Sequence, residues 1–389
     1  MYQIKQILAI ARREQKRLLT RPIYIFCMVL APIFGFVLFT TLMSEGLPCD
    51  LPAGVVDEDN TSITRELMRN LDAFQQTELT KYYTDVAEAR RAMQRGEIYG
   101  FFYIPEGTTE KALASKQPKV SFYSAASYMI PASLVYRDMR MMSELAAGSV
   151  MRSTLLAKGY TEDQAMAVIQ PIKCEMHPIA NPRLNYSVYL CNTLLPGLIM
   201  LLIMQVTIYA IYVELKESTA SKWLGMADND IVVALTGKLL PHIAIWTMMG
   251  VLCLMWLYGY WHFPLNSGIW PMILNMFLLM TASMSFAVFV CGMVPSLRWG
   301  LSLATLWGVL SFPISGFSFP QMAFPDPLKA LSYFFPLRHY FLIYVDQALN
   351  GRPLVYSWQS LAIQVGFMIL PLLVLNRLKT FLLEYRYTH

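Results

Sequence analysis

Charge is scarce in this chain of 389 residues: 15% of it is Asp, Glu, Lys or Arg, while 56% is hydrophobic. Soluble domains hold roughly 45–50% apolar residues, so a wholly water-soluble protein is excluded. Nucleotide chemistry is also missing. There is no G-x-x-x-x-G-K-[ST] phosphate cradle, no H-E-x-x-H, no C-x-x-C and no glycine-rich strand-to-helix turn. The chain is therefore not expected to be an enzyme, to hydrolyse ATP, or to bind a cofactor or metal of its own. His177 with Cys174 has no second ligand pair near it, and Asp57, Glu58 and Asp59 read as a solvated turn after a strand. The six cysteines are too few and scattered for a disulfide framework. Four of them (Cys27, Cys191, Cys253 and Cys291) fall in apolar runs. Cys49 and Cys174 lie outside those runs and are candidates for one loop-closing bridge in an oxidising compartment. The net charge of +5 is carried largely by basic residues beside apolar runs, where it sets orientation; no nucleic-acid partner is expected.

What the chain has instead is hydrocarbon. A bilayer core takes about 20 apolar residues of helix. Six stretches reach that length, at 23–43, 187–213, 237–260, 268–294, 299–320 and 357–376, with only Lys238, at one end, as an internal charge. The first starts too late and runs too long for a cleaved signal peptide, so it reads as an uncleaved anchor. Lys5, Arg12, Arg13, Lys16, Arg17 and Arg21 precede it, and Lys216, Lys222, Lys238, Arg298, Arg377, Lys379 and Arg386 fall on the same side of a six-span topology. Lys329, Arg338 and Arg352 fall on the other side. The balance predicts cytoplasmic termini, with a tail over 377–389, and an extracytoplasmic segment over 44–186.

Residues 1–22 form an amphipathic pattern. At 100° per residue Ile4, Ile7, Leu8, Ala11, Leu18 and Leu19 share one side and Lys5, Arg12, Arg13, Lys16 and Arg17 the other, as in a helix lying on a membrane surface. Pro22 gives the chain a place to turn into the first span. The 44–186 segment alternates β-type runs (53–56, 77–83, 98–104, 119–123 and 172–177) with helical ones (62–74, 86–95, 131–158 and 162–169), which predicts an inserted mixed α/β domain. Asp85 with Glu88 and Thr161 with Gln164 have capping-box spacing. Fold class is thus an α-helical polytopic membrane protein with six transmembrane helices and an α/β extracytoplasmic domain between the first and second.

Ion-coupled transport needs ionisable groups inside the membrane, and these spans are nearly bare of them; Lys238, His242 and Gln205 are expected to face helix neighbours or headgroups. If cargo moves, the energy comes from another chain.

Two segments carry a family resemblance. Glu214-Leu-Lys-Glu-Ser-Thr-Ala-Ser-Lys-Trp-Leu224, followed by Thr236-Gly-Lys-Leu-Leu-Pro241, resembles the cytoplasmic coupling segment of ABC-2 type exporter permeases, with Glu214, Thr219 and Trp223 on the common pattern and Ser218 and Lys222 departing from it. Ser315-Gly-Phe-Ser-Phe-Pro-Gln-Met-Ala-Phe-Pro325, continuing through Pro336-Leu-Arg338 to Gly351, resembles that family's re-entrant exit after the fifth span, broken at Gly316, Pro320, Pro325 and Pro336. The order of parts matches along nearly the whole chain, including the opening Val55-Val-Asp57 of the outer domain, common in the drug-efflux-like branch.

The resemblance implies the permease subunit of an exporter in the bacterial inner membrane, moving an amphipathic or lipid-like substrate outward. It implies a separate cytoplasmic ABC ATPase that holds ATP and Mg, a second permease copy or a related one (homodimer or heterodimer), and possible contact of the outer domain with a periplasmic adaptor. Within 214–236 it assigns ATPase coupling to Glu214, Lys216, Glu217, Thr219, Lys222, Trp223 and Leu224, with 315–351 as connector. Two rival readings stand beside it: a sensor or scaffold whose outer domain binds a ligand, and an ion-coupled secondary transporter.

Overall fold

The computed structural model describes residues 2–114, 116–182 and 185–384; Arg386 of the expected tail lies outside them. The chain divides into two compact units, Met1–Ser44 with Pro178–His389, and Glu45–His177.

The first unit is helical. Among the described residues, five helices are long and apolar enough to cross a membrane: Pro22–Leu42, Tyr186–Lys216, Ile231–Tyr260, Ile269–Met293 and Leu354–Leu373. A helix this apolar all round must be covered by protein or lipid, and Tyr186–Lys216, like Ile269–Met293, is largely covered by protein. In Tyr186–Lys216, Ile199, Met200, Ile203, Ile208, Ala210 and Ile211 are completely or almost completely buried, and the helix packs on Ile269–Met293 and Leu297–Ile314. Gly197 lets Phe312 lie against the helix backbone where a β-carbon would collide. Several polar groups inside this unit pair across helices. Tyr258 donates to Asn192 Oδ1 at 2.8 Å, Asn275 Nδ2 to the Tyr340 carbonyl at 3.0 Å, and Gln205 Nε2 to Thr305 Oγ1 at 2.6 Å.

Two of the expected elements take the following forms. The run over 299–320 is realised as an 18-residue helix, Leu297–Ile314, which opens on Leu297-Arg298 and stops where Gly316 adopts φ +100°. It is shorter than the five spanning helices. The N-terminal helix, Tyr2–Thr20, buries part of its apolar side and leaves part of it exposed. Ile10, Ala11 and Leu18 are buried, and the helix packs on Ile231–Leu254, while Ile4, Leu8 and Leu19 stay exposed. Gly237 permits that approach: a β-carbon there would lie 2.8 Å from Ile10 Cβ and 2.9 Å from the Ile7 carbonyl oxygen.

The second unit has a four-stranded sheet: β1 (Leu51–Asp57), β2 (Thr77–Tyr82), β3 (Gly100–Ile104) and β4 (Ser121–Ser124), in the order β2-β1-β3-β4. β1 is parallel to β2 and to β3, and β3 is antiparallel to β4. Central β1 is buried along most of its length, as a strand covered on both sides must be, and it reads Leu-Pro-Ala-Gly-Val-Val-Asp. Helices Ser62–Asp72, Val86–Gln94, Met129–Ala157 and Glu162–Ile169 form as expected, and Thr108–Leu113 is an additional short one. Thr161 and Gln164 make the reciprocal capping box; Asp85 caps Glu88 N, while Glu88 reaches back to Thr84 instead. The run over 172–177 is not a strand: Ile172 and Met176 are exposed and the segment pairs with nothing in the sheet. Cys49 and Cys174 are both free thiols, with Cys49 Sγ 3.4 Å from the Leu47 carbonyl oxygen, so the bridge considered between them is not formed. The Asp57 carboxylate closes the turn after β1 by accepting from the backbone of Asp59 and Asn60.

Candidate functional site

Charge is rare in this chain, yet four ionisable side chains from three helices meet with almost no exposure to solvent. They are Glu14 on Tyr2–Thr20, Glu214 at the end of Tyr186–Lys216, and Lys238 and His242 one turn apart near the start of Ile231–Leu254. Glu14 is 1% exposed and the other three 0%. Burying an ion alone costs far more than a fold can spare, so each must find a partner. Lys238 Nζ lies 2.8 Å from Glu14 Oε2 and 2.8 Å from Glu214 Oε1, and so bridges two acids that are 200 positions apart in the chain. His242 Nε2 lies 3.2 Å from Glu14 Oε1.

Glu214 is enclosed by donors. Arg13 grips it with both guanidinium nitrogens, at 3.0 and 2.8 Å, the fork geometry that makes such pairs directional. Arg17 and the Thr219 hydroxyl donate to the same carboxylate. Arg17 then reaches Glu217 at 2.9 Å, and Arg21 reaches it at 2.7 Å. Beneath the cluster the Trp223 ring lies 4.9 Å from Lys238 Nζ, and its indole N–H donates to the Ala234 carbonyl at 3.2 Å. Burial alone pushes the Glu14 carboxyl up, but the hydrogen bond to His242 and the Lys238 ammonium outweigh it and hold it at about 2. Glu217, near the rim, is held below its ordinary range by the hydrogen bond from Arg21.

The coupling residues expected from the sequence therefore separate into two groups. Glu214, Trp223 and Leu224 are fully buried and Thr219 is partly so; they hold the segment in place and have no face free for a partner. Lys216, Glu217 and Lys222 are exposed, with Ser221, Asp228 and Asn229 beside them. On the N-terminal helix Arg13 and Arg17 turn inward to Glu214, and Arg12 and Lys16 face out. In the connector, Gly316 makes the left-handed turn, Pro320 and Pro325 are exposed, and Pro336 opens a buried helix, Pro336–Tyr344. There the Arg338 guanidinium lies 4.3 Å from the Tyr333 ring centre and donates to the Ser332 hydroxyl.

Lys238 and His242 face helix neighbours, one of the two placements expected of them, but their partner Glu14 was not foreseen. The available signal was Glu14 itself, the one acid in a helix of five cations. Apart from the cluster, an apolar cavity of about 290 Å³ opens between Ile231–Leu254, Ile269–Met293 and the end of the last span, lined by Leu235, Leu239, Met284, Val288, Met368 and Leu372 among others.

A helical unit with several helices able to cross a membrane, a mixed α/β insert and a charged joint define the class: a multi-pass membrane protein. Residues 22–376 match the ABC-2 family transporter protein family, and the chain belongs to that family. It is accordingly the permease component of an ABC transporter, a multi-pass membrane protein that associates with an ABC ATPase. No curated protein matches the chain.

Proposed function

We propose that this chain is an exporter permease of the bacterial inner membrane in which the buried Glu14–Lys238–Glu214 cluster carries the motion of a separate ATPase into the spans. The supporting observation is the cluster: it ties the N-terminal helix, the end of the second span and the start of the third into one body beside the exposed Lys216, Glu217 and Lys222. A force applied to that exposed surface reaches three helices at once, because packed elements with fixed charge pairs move together and do not deform continuously. ATP and Mg belong to the ATPase.

In this reading both termini are cytoplasmic, the Glu45–His177 unit is extracytoplasmic and available to a periplasmic adaptor, and Leu297–Ile314 is the fifth of six crossings. At 1.5 Å per residue that helix is about 27 Å long, and the extended chain beyond Gly316 supplies the rest of a ~30 Å core. Two copies, or one with a related partner, enclose the path. The apolar cavity favours an amphipathic or lipid-like cargo.

Proton coupling gains little from Glu214, whose carboxylate accepts from Arg13, Arg17, Lys238 and Thr219 together. The test is co-purification of the solubilised protein with its nucleotide-binding subunit. Lys222→Glu is expected to weaken that association while membrane insertion is retained. Uphill movement of cargo by the reconstituted chain alone would overturn the reading.

A further inference from the structure

The five cations of Tyr2–Thr20 fall into two rows with different partners. Arg13 and Arg17 face inward and are bound by Glu214 and Glu217. Lys5, Arg12 and Lys16 face outward, are exposed, and form no ion pair among the described residues. At 100° per residue those three lie within about 40° of one another. Directly beside them on the wheel run Ile4, Leu8 and Leu19, which are 61%, 48% and 67% exposed. One residue after this helix ends, Pro22 opens the first spanning helix. The outward side thus carries a hydrocarbon row and an unneutralised cationic row in parallel, at the place where the chain enters a membrane.

We propose that Lys5, Arg12 and Lys16 are an anionic-phospholipid recognition row, binding headgroups while Ile4, Leu8 and Leu19 sit among the acyl chains beneath. Charge complementarity selects the occupant. A zwitterionic surface gives no net attraction to this row, whereas an anionic leaflet attracts each basic side chain near it, worth about fivefold in association per cation. The apolar row argues against an acidic protein surface, which would leave three large hydrophobic side chains facing polar groups. Because Arg13 and Arg17 sit on the same helix, headgroup binding on the outer side steadies the buried cluster on the inner side. The inference assumes that the helix lies at the membrane surface and does not depend on the transport reading.

The test uses the full chain reconstituted in phosphatidylcholine bilayers containing spin-labelled phosphatidylglycerol or spin-labelled phosphatidylcholine, with the motionally restricted fraction of each measured. The wild-type protein is expected to select phosphatidylglycerol, and the selection is expected to fade as salt rises. The triple variant Lys5→Gln, Arg12→Gln, Lys16→Gln is expected to lose most of that selectivity. A second triple variant, Lys216→Gln, Lys222→Gln, Lys379→Gln, removes the same charge elsewhere and is expected to retain it. Equal selectivity in the two triple variants would overturn the proposal. So would a helix variant that keeps wild-type lipid selectivity but no longer binds the ATPase, since the row would then be a protein contact. The lipid-selectivity measurement itself requires neither an ATPase nor transport, so its failure leaves the exporter reading standing.

Discussion

Removing Lys238 tests whether the cluster holds the N-terminal helix in place. In Lys238→Met the ammonium between Glu14 and Glu214 is gone. Glu214 keeps Arg13, Arg17 and Thr219, so most of the loss falls on Glu14. Glu14 is left with His242 at 3.2 Å and with Arg17 Nη1, which is 3.9 Å away and already engaged by Glu214. Taking one partner from a buried ion pair costs about 3–5 kcal/mol, and the surviving partners place this case near 3 kcal/mol. The contact that yields is the packing of Tyr2–Thr20 on the third span, since Glu14 is the helix's own charge. At 1.4 kcal/mol per decade, the undocked helix becomes about 100-fold more populated. Tryptic cleavage after the inward-facing Arg13 and Arg17 reads that population when opening and closing are fast relative to cutting. The double variant Glu14→Leu, Lys238→Met removes both charges, and cleavage should fall back toward the wild-type rate. Wild-type cleavage in Lys238→Met, or a double variant cut faster than the single one, would refute the reasoning.

Acid should loosen the same joint. The Glu14 carboxyl is held at about 2 against an ordinary 4.5, so its contribution is complete above 4.5 and is lost as pH falls through that window; the depressed Glu217 acts in the same sense. Thermal midpoints of the solubilised protein should change little between neutral pH and about 5 and then fall, with a shallower fall in Glu14→Gln; an equally steep fall in that variant would remove Glu14 as the cause. Gly237→Ala should push the N-terminal helix off the third span, because its new β-carbon would lie 2.8 Å from Ile10 Cβ, at a cost of about 1–3 kcal/mol for overpacking. Gly366→Ala, where nothing lies within 4 Å, is the matched control, and equal tryptic cleavage in the two variants would show that close approach at Gly237 does not matter.

The parts of the molecule legible in the sequence are those fixed by short-range rules. Period-two runs and capping spacing located β1 to β4 and four helices of the α/β unit within a few residues, and apolar length located five spans. The 172–177 run failed because strand-like composition forms a strand only beside an open sheet edge, and Ile172 and Met176 found none. The 299–320 run came out short because Gly316 ends the helix with a positive φ that apolar counting does not register. The cluster was hidden for a different reason. Glu14 and Lys238 are 224 positions apart, and each looked like an ordinary charge beside a membrane span. Resemblance drew attention to Glu214 and Trp223 as ATPase-coupling residues, and the structure turns both inward.

That inversion bears on how such a joint works. Desolvation makes a buried ion cluster a poor source of stability compared with an apolar core of the same shape. What it supplies is registry: Lys238 meets both acids at 2.8 Å only if the N-terminal helix and the second and third spans stand in one axial and rotational relation. An apolar patch tolerates sliding by a fraction of a turn; a guanidinium fork on a carboxylate does not, because misalignment leaves a buried charge without its donors. Under the proposed function a motor pulling on Lys216 or Lys222 therefore moves the three helices as one lever. The compliance needed for access to change lies elsewhere, where the spans depart from regular helix: the π-helical turn at Phe26–Leu30, the one at Met255–Tyr260, and the break at Leu370–Leu373.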